Sequence, residues 1–280
     1  MYLRSPLNYI GGKYKLLGQI LPLFPKNIDT FYDLFAGGLN VSLNVTARSI
    51  VAYEIMTPLV DLYRFWYKTS TSIVLNKISA TIGKFQLSSS NQAGYNTLRA
   101  EYNTTRDPLL LFVLICYSFN HQVRFNSRLE FNSPFGRDRS KFNDNISENL
   151  VSTISAIHQK KISFRAKSCL SLPVSRLNSD AFLYADPPYL ITTAAYNDGK
   201  RGFEGWNMEK EQKLLALLDK ANAKGLKFAL SNAIENKGRV NSLLLAWASK
   251  YKIHEMAASY ANSSYNANRL GTREVLITNY

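Results

Sequence analysis

Apolar positions in the first 60 residues come in short runs that end in turns. Residues 30–35 (Thr-Phe-Tyr-Asp-Leu-Phe) and 49–54 (Ser-Ile-Val-Ala-Tyr-Glu) read as strands. Between them, Ala36-Gly37-Gly38 is a turn and residues 39–47 have helical spacing, so the chain begins as a βαβ unit and favours a parallel sheet. A further helix is expected over residues 14–21. The pattern changes from about residue 61. Residues 61–67 are aromatic and helical, residues 88–92 form a polar break, and Pro108 to Tyr117 is an unbroken apolar run that reads as a buried helix. The stretch 119–142 mixes basic, aromatic and Asn/Ser residues without a period. Strand and helix signals return from about 161. Residues 181–185 read as a buried strand, 192–205 as a polar loop, 208–220 as a helix, 225–232 as turn and strand, 240–250 as a helix and 274–278 as a last strand. The expected architecture is α/β. A sheet domain from residues 1–60 and 161–280 is interrupted by a mostly helical insertion at 61–160.

The charge narrows the partners. Lys and Arg number 34 against 20 Asp and Glu, a net charge of +14. Such an excess suits a polyanion, nucleic acid first and an anionic membrane surface second. No apolar run approaches a membrane span, and the N-terminus lacks the apolar core of a signal peptide. The two cysteines, Cys116 and Cys169, are too few for a disulfide framework or a zinc site, and His121, His158 and His254 have no metal-ligand spacing. We expect buried thiols, no metal, no membrane, no obligate protein partner and a cytoplasmic location.

Candidate chemistry concentrates at strand ends. Asp186-Pro187-Pro188-Tyr189 follows the strand 181–185. The prolines carry no N–H, so this turn offers acceptors rather than donors. A carboxylate, outward carbonyls and a flat ring suit gripping a planar base by its amino group and stacking on its face. A plain Pro-Pro turn is the alternative. Phe35-Ala36-Gly37-Gly38 lies between strand and helix, where glycine lets a ligand approach and the helix end adds donors. G-x-G-x-x-G is missing, which argues against a dinucleotide. Glu54 ends the next strand, where nucleotide folds place an acid for ribose hydroxyls. A ribose-bearing ligand without pyrophosphate, such as S-adenosylmethionine, fits both features. Asn8-Tyr9-Ile10-Gly11-Gly12-Lys13-Tyr14 is a second glycine turn. It lacks Walker spacing, and either closes over a cofactor or simply leads into the next helix.

Taken in order, these segments resemble the Dam-type (D12 class) DNA adenine methyltransferases, phage members above all. The matching residues are Asn8 to Lys13, Asp33 to Gly38, Tyr53-Glu54-Ile55, Arg124-Phe125-Asn126, Phe131 to Arg137 and Asp186 to Tyr189. The resemblance implies a Rossmann-like S-adenosylmethionine-dependent methyltransferase sheet with an inserted DNA-recognition domain. It implies cofactor contacts from Tyr9, Lys13, Phe35, Ala36, Gly37, Gly38, Glu54 and Asp186; the family usually carries Asp at the position of Glu54. It implies methyl transfer to a flipped adenine at Asp186, Pro187, Pro188 and Tyr189, in double-stranded DNA and within GATC. Arg124, Asn126, Pro134 and Arg137 are the implied DNA contacts. Asp138 stands where relatives often have a basic or aromatic base-contacting residue, and an acid repels guanine, so Arg137 or Arg139 takes that role. An inactive DNA-binding relative, and an amino methyltransferase for cytosine or RNA, are the competing readings.

Overall fold

The computed structural model describes residues 2–192, 205–257 and 271–280. Among the described residues, eight strands form one sheet: β1 (Thr30–Asp33), β2 (Ser49–Glu54), β3 (Ile162–Ala166), β4 (Ala181–Ala185), β5 (Lys227–Asn236), β6 (Arg239–Val240), β7 (Lys252–Met256) and β8 (Thr272–Thr278). Their order is β3-β2-β1-β4-β5-β8-β7, with β6 paired to β5. The five strands from β3 to β5 are parallel, while β8 and β7 run antiparallel. All five side chains of β4 are buried, as expected of a parallel strand covered on both faces. Strand order reverses between β1 and β4, and the crevice beyond the carboxyl ends of such a pair is where open α/β sheets bind ligands.

Nine α-helices are described: α1 (Leu17–Ile20), α2 (Asn40–Asn44), α3 (Thr57–Lys68), α4 (Thr71–Lys84), α5 (Gln92–Thr105), α6 (Pro108–Tyr117), α7 (Asp144–Gln159), α8 (Met208–Ala223) and α9 (Ser242–Ala248). Polar side chains start several of them. Asn91, Asp107, Asn143, Asn207 and Asn241 each accept a backbone N–H from the first turn. α6 is buried on every side from Leu109 to Tyr117, with α3, α4 and α5 around it. One sheet face carries this helical layer in a single apolar cluster; the other is covered by α8, α9 and the segment 169–177. α3 lies against β2 and β3 and spans the expected boundary at residue 61.

Several elements differ from expectation for local reasons. The helix expected over 39–47 is confined to Asn40–Asn44, entered from Leu39 at φ +65°. That expected over 14–21 is two 3-10 turns flanking α1. The helix expected from 240 starts at Ser242, because Arg239–Val240 pairs with β5 and the Asn241 side chain caps α9. Of the predicted loop 192–205, residues 193–204 lie outside the described residues. No helix among the described residues is long and apolar enough to cross a membrane.

Candidate active site

The loops after β1 and β4, neighbours in the sheet, open into one cavity of about 720 Å³. The glycine turn Phe35 to Gly38 and the turn Asp186 to Tyr189 both line it, together with Tyr9, Lys13 and Glu54. Every residue assigned from sequence to catalysis or cofactor binding is therefore on one wall or another of a single space.

Close approach explains the glycines. Gly37 sits at φ +45°, and a Cβ there would stand 3.0 Å from the Tyr9 ring. A Cβ on Gly38 would meet Tyr9 Cβ at the same distance. The Tyr63 hydroxyl, from α3, donates to the Gly37 carbonyl and fixes the turn from beneath. Asp33 ends β1 with 1 % exposure. Its Oδ2 accepts from Ser42 Oγ at 2.6 Å, and its Oδ1 has no hydrogen-bond partner among the described residues. Burial drives this carboxyl up to about 7. Glu54 is buried too and pushed up by burial, while Met56 N–H donates to its Oε1 at 2.9 Å.

Lys13 is the counterweight. Its Nζ lies 2.8 Å from Asp186 Oδ1, donates to the Gly11 carbonyl at 3.0 Å, and stands 5.0 Å from the centre of the Tyr189 ring. Burial alone would lower the ammonium, but Asp186, with Tyr184 and Glu274 further off, outweighs it and holds Lys13 above its usual value. Burial raises Asp186 to about 6 against the opposing pull of Lys13. A cation thus occupies both the acceptor and the aromatic face of the 186–189 turn. Glu274 of β8 accepts from the Tyr189 hydroxyl at 3.4 Å and steadies that ring.

The family model for D12 class N6 adenine-specific DNA methyltransferases matches residues 9–262. The chain belongs to that family. It is 50% identical over 279 residues to the type II methyltransferase M.FokI of Planomicrobium okeanokoites and 45% identical over 281 residues to the modification methylase StsI of Streptococcus sanguinis, covering 100% of this chain and 43% of each relative. With the DNA adenine methylase of Salmonella typhi it shares 24% identity over 277 residues, 98% of this chain and 94% of that protein. The chain spans less than half the length of the two modification enzymes.

Against the D12-class pattern, the residues assigned to DNA form a separate group. Arg124, Asn126, Pro134, Arg137 and Arg139 do not line the cavity. They belong to the 118–142 segment, which has little regular structure and is held by its own side chains. Arg124 Nε and Nη2 donate to the Asn132 side chain and carbonyl at 3.0 and 2.8 Å. Asn126 Oδ1 accepts the N–H groups of Arg128 and Glu130, and its Nδ2 donates to Glu130 Oε2 at 2.6 Å. Both side chains therefore brace the loop. Pro134, Arg137 and Arg139 are exposed; Arg137 reaches Gln92 at 2.9 Å and Arg139 lies 5.2 Å over the Phe119 ring. Asp138 is exposed at φ +59°. Asn8 Nδ2 donates to the Asn120 carbonyl at 2.9 Å, joining this segment to the glycine turn beside Tyr9.

Sequence reasoning missed Trp206, Thr272 and Glu274, which also line the cavity. Nothing in their local pattern points there; the fold brings them in from α8's approach and from β8. Cys116 and Cys169 are buried thiols, and no metal-binding cluster of His, Cys, Asp and Glu is present among the described residues.

A cationic, ribose-bearing cofactor fits this lining. Glu54 ends β2 at the cavity wall, the unpartnered Asp33 Oδ1 is available to an ammonium, and the carboxylates of Asp33, Glu54 and Asp186 together favour positive charge. The glycines let the Tyr9 ring lie directly against the turn at the cavity wall.

Proposed function

We propose that this chain is a site-specific DNA methyltransferase that modifies the exocyclic amino group of an adenine turned out of duplex DNA. The observation that carries this reading is the shared cavity: the Asp186 carboxylate and the Phe35–Gly38 turn lie at the ends of adjacent parallel strands and face one space.

S-adenosylmethionine, when bound, supplies an electrophilic methyl group on a sulfonium centre. Tyr9, Lys13, Phe35, Ala36, Gly37, Gly38 and Glu54 hold it, with Glu54 on the ribose hydroxyls and Asp33 on the ammonium. Asp186 accepts one hydrogen of the adenine amino group, and a carbonyl of the Pro187-Pro188 turn accepts the other. Two acceptors on one side aim the nitrogen lone pair away from the ring plane. Tyr189 stacks on the base, a contact worth roughly 1–3 kcal/mol, which offsets part of the few kcal/mol needed to flip it. Lys13 holds both subsites until a base arrives, since its ammonium pairs with the Asp186 carboxylate where an amino group would bind. Rate then comes from positioning and fixed acceptors.

The 118–142 segment, within the insertion 61–160, reads the duplex, with Arg137 and Arg139 presented to it and Arg124 and Asn126 shaping the loop. GATC is the site the family resemblance proposes. The higher identity to two modification enzymes than to a DNA adenine methylase, and the acid at 138, weigh against it. The test is transfer of a labelled methyl group to duplex DNA, identification of the modified base after hydrolysis, and methylation-sensitive sequencing of DNA from expressing cells. N6-methyladenine in one sequence context is the expected result. Labelled cytosine, labelled RNA only, or no transfer would overturn the proposal; a single context other than GATC would overturn only the site.

A further inference from the structure

One aromatic side chain of the cavity wall, Trp206, lies outside every motif used above. Trp206 is half-buried just before α8, and its ring meets Phe35 edge-on at 5.4 Å and 82°. Its Nε1 donates to Glu211 Oε2 at 2.5 Å. Glu211 has no exposure, and its other oxygen accepts from Asn232 Nδ2 at 2.9 Å. Asn232 is itself fully buried on β5. A carboxylate buried in the apolar layer between α8 and the sheet is costly, and here both its oxygens are committed to donors. One of those donors is the indole. The hydrogen bond, added to the edge-on contact with Phe35, fixes the orientation of the ring.

That ring faces useful neighbours. Trp206 shares the cavity wall with Phe35, Leu170 and Ile55. Ile55 is 53 % exposed although it directly follows the buried Glu54. An apolar side chain open to a cavity beside a carboxylate suited to a ribose diol makes a slot for the base attached to that ribose. Flat, apolar-walled slots with one polar group take purines well.

We infer that Trp206 forms the aromatic wall of the slot for the cofactor's adenine ring, and that Glu211 is the positioning residue that holds its indole in place. This rests on the cofactor reading above. Trp206 touches the ligand; Glu211 acts only through Trp206, with Asn232 as the second anchor.

The three tryptophans make the test direct. Trp66 is fully buried and Trp247 is 9 % exposed, in the cores on opposite faces of the sheet, so Trp206 is the indole that a ligand in this cavity meets. Titration of the full chain with S-adenosylhomocysteine, followed by tryptophan emission and in parallel by calorimetry, should give a saturable emission change with the calorimetric affinity. Trp206→Phe should keep binding within about fivefold and lose the emission change, whereas Trp206→Ala should weaken binding at least ~10-fold. Glu211→Gln provides one acceptor oxygen for two donors and sets an amide N–H2 against one of them, so the indole and Asn232 can no longer both be anchored. It should shift the emission of the free protein and raise the KM for cofactor several-fold, with kcat at saturation within about twofold. An emission change that persists in Trp206→Phe, or wild-type affinity in a folded Trp206→Ala, would overturn the inference; if Trp206→Ala does not fold, Trp206→Leu decides the same point. A Glu211→Gln variant that melts lower but binds cofactor normally would overturn the positioning role. Failure of the wild-type chain to bind S-adenosylhomocysteine by calorimetry would instead overturn the cofactor reading beneath it.

Discussion

Asp33 and Glu54 are buried and Asp186 is partly buried, all three line one cavity, and the one ion pair described among them is Asp186 with Lys13. The 118–142 segment is the reverse. Its polar side chains are spent on the segment itself, as Arg124 on Asn132 and Asn126 on Glu130, while Arg137 and Arg139 remain at the surface. In the cavity, backbone geometry positions the chemistry: strands end, turns follow, and the side chains have one place to go. In the loop, side chains position the backbone. The first kind of region is unforgiving of single changes at its acids and glycines. The second should divide its residues into braces and contacts, with different consequences for each.

The comparison breaks first at Asp186. Asp186→Ala should reduce methyl transfer by more than about 10³-fold, because both acceptor and charge are lost at the reacting nitrogen. Circular dichroism should remain that of the wild type. Activity retained in a folded variant would remove Asp186 from the reaction. In the unmodified protein the rate should fall as pH drops through about 6, where the Asp186 carboxyl takes up a proton.

Gly37→Ala comes next. The residue must keep φ +45° and hold its new methyl 3.0 Å from the Tyr9 ring. We expect stability to drop by roughly 1–3 kcal/mol, with cofactor affinity falling about tenfold as Tyr9 is displaced. Calorimetry and thermal unfolding read the two separately. Unchanged affinity would mean that Tyr9 does not touch the cofactor.

In the loop the effects are smaller and of two kinds. Arg137→Ala or Arg139→Ala should weaken DNA binding severalfold and lower the slope of log affinity against log salt by about 1 if the lost contact is to phosphate. If it is to a base, specificity relaxes instead. Arg124→Ala should cost stability, of order 1 kcal/mol, because two hydrogen bonds to Asn132 go with it. Equal effects of all three on stability would erase the division between braces and contacts.

The same contrast explains what could be seen in the sequence. β2 and α6 have the expected bounds, since each is a contiguous run whose burial follows from its own composition. Phe35 to Gly38, Glu54 and Asp186 to Tyr189 could be placed at one cavity from sequence because each lies at or just beyond a strand end, whereas Tyr9 and Lys13, which precede the first strand, were placed there only by the family resemblance. Trp206 and Glu274 were not, because they reach the cavity from distant elements that no local pattern links to it. Nor could the sequence separate Arg124 from Arg139. Both are basic residues among aromatics, and only the partner of each guanidinium distinguishes them. β7 escaped notice because an edge strand with charged positions lacks the alternation that marks a half-buried one.

The smallest effect is also the sharpest division between the two regions, because the signs are opposite. Asp33 is raised by burial from 3.8 to about 7, so the folded chain binds a proton there that the unfolded chain has already released. Its contribution to stability is therefore present at low pH and lost as pH rises from about 4 to about 7. Glu130 is lowered, first by the Asn126 amide and then by Arg128. It contributes above its ordinary value of 4.5 and loses that contribution as pH falls below it. Asp33→Asn should flatten the decline in melting temperature between about pH 4.5 and 7 by a few degrees, given about 2–4 °C per kcal/mol in a chain of this size. Glu130→Gln should leave that range unchanged and alter only the acid limb below pH 4.5, by less, since Glu130 is partly open to screening solvent. If both variants changed the same limb, the cavity and the loop would not differ in how they hold their acids, and the contrast drawn between them would fail at its electrostatic root.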